Sequence, residues 1–151
     1  MNTPHTHLVA AQTINANTRA VTDTALPQRV QRFLMTHIDS IEKLEVLLLL
    51  RTRVEREWTA SETALELRIT EASAAVRLED LTASTLLVSD RGAPARYRYS
   101  PSSTEDVRSV AELAMAYAER RVSVITFIFT KPQNHVQGFA NAFLLRKKGP
   151  D

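Results

Sequence analysis

The chain has no cysteine. That removes disulfides, thiolate metal sites and thiol nucleophiles together, and it agrees with a reducing compartment such as the cytoplasm. Glycine occurs only at Gly92, Gly138 and Gly149, too scattered for a phosphate-cradling loop. Long apolar runs are missing too. Runs such as Val46 to Leu50 fall far short of the roughly 18 residues a bilayer span needs, so no membrane helix is expected. Met1 to Gln12 lacks a basic start and has only Leu8 to Ala11 as an apolar run, which predicts no secretory leader. No serine sits in a nucleophile motif and no histidine has a carboxylate-rich setting. These absences predict a protein that is not an enzyme and uses no metal or cofactor.

A surplus of positive charge is also missing where a nucleic-acid binder would show one. The net charge is +2, but residues 27–100 carry eleven basic against eleven acidic side chains. The surplus lies beyond, with seven basic against five acidic residues in 101–151. What is present is ordinary for a globular chain: 44% apolar and 24% charged residues over 151 positions. That length suits one compact core with an extension.

Residues 1–26 are rich in Thr, Asn and Ala, show no sustained apolar period, and are predicted to form a mobile tail. His5 and His7 within it lack carboxylate or thiol neighbours and read as solvent-facing. Pro27 suits a first helical position, after which Val30, Phe33, Leu34, His37 and Ile38 share one face. His37 reads as a core-edge histidine. Asp39 with Glu42 forms a capping box for a second helix, whose Ile41 to Leu50 stretch is apolar nearly all round and belongs at the centre. Arg51, Arg53 and Arg56 alternate with Glu55 and Glu57, a pattern of a solvated, self-paired segment. Trp58 is placed to staple the next helix.

Thr59 and Glu62 make another capping box, opening a helix with Ala64, Leu65 and Leu67 and closing at Ile69. Thr70 caps the following helix, which turns Ala74, Leu78 and Leu81 inward. Its outward positions are then Ala72, Val76, Glu79 and Ala83, with Ser73 and Asp80 at one margin. Leu86 to Val88 read as a short strand. After a turn at Asp90 to Pro94, Arg96, Tyr97, Arg98 and Tyr99 alternate, putting arginines on one face and tyrosines on the other.

Ser102 with Glu105 caps the last long segment, which runs to Thr130. Its end, Val122 to Phe129, has strand-like composition, but Glu112, Glu119, Ser123, Thr126 and Thr130 recur at helical spacing and predict one helix continuous from Ser103. Val110, Ala114, Tyr117, Arg121, Ile125 and Ile128 lie opposite. Lys131-Pro132 ends it. Val136, Phe139, Ala140, Phe143 and Leu144 define a further amphipathic helix.

The order from Asp39 to Tyr99 resembles the winged helix-turn-helix family. The resemblance is carried by Ala64, the Leu67 and Ile69 pair, the Thr70 cap, the Ala74/Leu78/Leu81 face and the Leu86-Leu87 entry to the hairpin. Thr85 stands where such domains usually carry glycine. The resemblance implies a mostly α fold, a helical bundle plus a two-stranded β-hairpin wing, in residues 27–100, with a C-terminal helical dimerisation segment in 101–151. It implies a bacterial-type, homodimeric transcription regulator with double-stranded DNA as partner. On that reading Ser73, Arg77, Arg91, Arg96 and Arg98 contact DNA, chiefly through the wing, because the outer helix face has few base readers. The dimer is expected on Val110, Ala114, Tyr117, Ile125, Ile128, Phe139 and Phe143. The alternative is a winged helix repurposed for protein contacts on the outer face of the Thr70-capped helix, without DNA.

Overall fold

The computed structural model describes residues 25–131. Six helices and a small sheet follow one another: α1 (Gln28–His37), α2 (Ile41–Thr52), β1 (Trp58–Thr59), α3 (Ala60–Leu67), α4 (Glu71–Ala83), β2 (Leu87–Ser89), β3 (Arg96–Tyr99), α5 (Thr104–Glu119) and α6 (Arg121–Thr130). The sheet is antiparallel with order β1-β3-β2. This is the predicted winged helix: α3 and α4 form the helix-turn-helix, and β2 with β3 forms the wing.

Four of the six described helices begin where small polar side chains take free amides. Thr59 accepts from the Glu62 amide while the Glu62 carboxylate accepts from the Thr59 amide, closing the capping box. Thr70 caps α4 on the Ser73 amide. Two caps fall one residue later than the sequence suggested. Ser40, rather than Asp39, accepts from the Lys43 amide, and Ser103, rather than Ser102, accepts from the Asp106 amide. Adjacent hydroxyl and carboxylate residues offer equivalent caps, and the packing of the helix decides between them.

Apolar α2 lies at the centre, with Leu44, Val46, Leu47 and Leu50 wholly buried. Leu34, Leu78, Leu81, Leu86, Val110, Leu113 and Val124 close around it. The α3–α4 turn passes through Arg68 in the left-handed region (φ 59°), and the α4–β2 turn through Thr85 (φ 64°) where glycine was expected. Trp58 is buried as foreseen, but in a strand the sequence did not reveal: two residues, too short to show alternation, paired with Tyr97 and Arg96. At the other end, the buried Lys131 ammonium donates to the carbonyls of Leu34 (3.0 Å) and Ile38 (2.6 Å), tying off the end of α1.

Three expectations change. Leu26 belongs to the core, not to a tail, and its carbonyl accepts from the Gln31 amide group. The long C-terminal helix is two helices, broken at Arg120 (φ −135°, ψ 53°), whose guanidinium donates to the Ala25 carbonyl. A straight rod would carry Val124 and Ile128 off the domain, and the break returns both to the core. Consequently part of the expected dimer stripe is internal. Val110 and Ile128 are buried, and the Tyr117 hydroxyl donates to Glu45 on α2 at 3.0 Å. Ala114 and Ile125 are half-buried. Phe139 and Phe143 lie outside the described residues, as does most of the predicted tail.

Candidate nucleic-acid interface

The wing is built on strand alternation. Tyr97 and Tyr99 face the core, so Arg96 and Arg98 must face out, beside their register partners Thr59 and Val88. The Asp90 carboxylate organises the tip by accepting from the amides of Gly92 and Arg96, both at 2.9 Å. Those backbone donors hold it below the usual carboxylate range. A Cβ at position 92 would come within 3.2 Å of that same carboxylate, which favours glycine there. Arg91, with a left-handed backbone (φ 57°), donates its amide to the Ser89 hydroxyl.

The predicted contact residues do not share one state. Arg96 is exposed and forms a long ion pair with Glu57, at 3.9 Å, beyond hydrogen-bond reach. Arg98 is half-buried and makes no ion pair among the described residues. Arg91 is engaged: its Nη1 donates to both oxygens of Glu79, at 2.9 and 3.2 Å. The buried Tyr97 hydroxyl donates to the same carboxylate. The Tyr97 bond first, then the Arg91 bond, hold Glu79 below its ordinary pKa, while burial and then Glu79 push Tyr97 up to about 12.

On α4, Ser73 and Arg77 lie together but turn toward α2, where the Ser73 hydroxyl and Arg77 Nε (3.1 Å) both donate to Glu42. Sequence reasoning missed Glu42 as the partner of both, and Glu79 as the partner of Arg91 and Tyr97. Neither pairing has a local signature, since the partners come from different elements.

The face of α4 that points outward is made of Glu71, Ala72, Val76, Glu79, Asp80 and Ala83, all exposed. Behind the wing, the Arg56 guanidinium stacks 3.5 Å from the centroid of the Trp58 ring. Among the described residues no cluster of His, Asp and Glu is arranged to hold a metal ion, and no helix is long and apolar enough to cross a membrane.

No family model and no curated relative matches this sequence. Among solved structures, the chain is similar to a MarR family transcriptional regulator from Streptomyces coelicolor, at 15% identity over 94% of this chain and 96% of that one, with a TM-score of 0.48. It is also similar to a mutant of S. aureus MepR bound to an oligodeoxyribonucleotide, at 14% identity over 93% and 96% of the two chains, with a TM-score of 0.47. A multiple antibiotic-resistance repressor from Listeria monocytogenes gives 13% identity over 98% of each chain and a TM-score of 0.44.

Proposed function

We propose that this chain is a DNA-binding winged-helix transcription regulator that grips the duplex through its wing. The observation that carries the reading is the outer face of the sheet, where Arg96 and Arg98 stand two residues apart, Arg98 without an ion pair among the described residues and Arg96 with only a long, exposed one to Glu57 at 3.9 Å. Guanidinium groups held on a rigid strand suit phosphate oxygens. Arg91 is a third cation of the wing, available once a phosphate replaces Glu79. Such contacts position the protein without reading sequence.

Titration of random duplex DNA at low and moderate salt tests this. Affinity falls steeply as salt rises, and the combined changes Arg96→Ala and Arg98→Ala lower the slope of log K against log salt by about two. Absence of binding at low salt, or a slope that survives the double change, overturns the wing assignment.

We propose further that the regulator is a homodimer joined through α5 and α6. Supporting this are Met115, Val122 and Phe129, apolar side chains left 62%, 76% and 70% exposed on those helices. Light scattering at micromolar concentration gives twice the chain mass, and Val122→Asp gives the monomer. An unmodified monomer removes the proposal.

A further inference from the structure

The wing reading leaves the outer surface of α3 and α4 without an occupant, and that surface has a chemistry of its own. Leu65 on α3 is 79% exposed and Val76 on α4 is 52% exposed. Between the two helices lies a recess of about 370 Å³ lined by Ser61, Ala64, Leu65, Arg68, Ile69 and Glu71. Farther along α4, Ala72, Val76 and Ala83 recur at helical spacing and form an exposed strip beside the recess, with Glu71 and Asp80 on its two flanks. Its border is acidic. Glu66, Glu71 and Asp80 are exposed and make no ion pair among the described residues, while the Glu79 carboxylate is spent on Arg91 and Tyr97. Arg68 is the one cation that lines the recess.

A major groove is a poor match for such a surface. Base edges are read by Arg, Lys, Asn and Gln, of which only Arg68 is offered, and the carboxylates would be driven against phosphates. A lysine- or arginine-rich protein segment reverses both terms. Its cations meet Glu66, Glu71 and Asp80, and its apolar side chains meet Leu65, Val76 and the alanines, whose small size lets another helix approach closely.

We infer that the helix-turn-helix surface around Leu65 and Val76 is a docking site for a basic amphipathic helix of a partner protein. The site adjoins the wing at Glu79 but uses different side chains from Arg96 and Arg98, and the two are tested separately. The charged border sets the rate of encounter and makes it salt-sensitive, while Leu65 and Val76 set the lifetime of the complex.

The probe is a fluorescent peptide of about 18 residues, five turns of helix, with leucines at i, i+3, i+4 and i+7 and lysines elsewhere. One control replaces lysine by glutamate, and the other scrambles the leucines off one face. The lysine peptide binds, the controls do not, and amide shifts in the ¹⁵N-labelled protein cluster in residues 61–83. Leu65→Asp and Val76→Asp each raise Kd by about tenfold. Glu71→Gln with Asp80→Asn raises it and flattens its salt dependence, and Arg96→Ala with Arg98→Ala leaves it unchanged. Both apolar positions are exposed, so the variants should melt as the parent does. Should either unfold, the surface change Asp80→Lys carries the test.

Several results overturn the inference. They are no binding at about 0.1 mM lysine peptide, shifts centred on α5 and α6, or equal binding of the scrambled control. A change of chain mass with Val76→Asp would make a second copy the occupant. DNA that moves the 61–83 amides and is lost with Val76→Asp would make the surface a groove reader.

Discussion

On the wing, the exposed charge is guanidinium: Arg96 and Arg98 stand on a strand whose other side is buried tyrosine. On α4, the exposed charge is carboxylate, with Glu71, Glu79 and Asp80 set around Ala72 and Val76. The two regions sum to near neutrality, which is why the overall charge says little about either. They also meet at one residue. Glu79 belongs to the helix but holds Arg91 and Tyr97 of the wing. On the proposed reading the hairpin takes phosphates and the helix a basic protein. The Glu79 contact ties the two together.

The comparison is broken most severely through the core on which both regions rest. Leu78 is wholly buried on α4, and Leu78→Ala should cost about 2 to 5 kcal/mol. Denaturant melts should show that loss, and wing and helix should fail together in one transition.

A sharper and smaller effect comes from Glu79→Gln. The contact is half exposed, so thermal stability changes little. Release of Arg91 and removal of a repelling charge should instead raise non-specific DNA affinity several-fold in a duplex titration. The pH dependence follows from the depressed pKa of Glu79 in the folded state. Its contribution is present above the ordinary value of 4.5 and is lost as pH falls through the lower folded value. The Gln variant should therefore lose less stability than the parent on acidification below about pH 4.5. Equal acid sensitivity of the two proteins would separate wing from helix.

The smallest effect is spectroscopic. With its pKa pushed up to about 12, Tyr97 should ionise after an ordinary tyrosine, and its share of stability is present below pH 10 and lost toward pH 12. Ultraviolet titration of tyrosinate absorbance checks this, and Glu79→Gln should bring the late phase earlier, because the carboxylate is one of its causes.

Much of this was legible in the residues. Arg96 to Tyr99 alternate, and alternation has one meaning in a strand, so the separation of arginines and tyrosines onto opposite faces followed without tertiary knowledge. The Thr59 and Thr70 caps and the inward Ala74, Leu78 and Leu81 were equally local, since each depends on spacings within one helix. The aliphatic α2 could go nowhere but the centre.

The tertiary structure decided what spacing leaves open. Helical periodicity tolerates a break between turns, so the pattern around Arg120 fitted one helix or two, and only the need to bury Val124 and Ile128 chose two. Strand β1 is two residues long, and nothing but its pairing with β3 makes it a strand. The candidate site was divided in the same way. Sequence placed the arginines and the acids on their faces, but Glu42 and Glu79 found their partners across 31 to 35 and 12 to 18 residues of chain. A charge has no directional pattern in sequence. Which opposite charge it meets is set by the packing of the helices that carry them, and that packing is a property of the whole core.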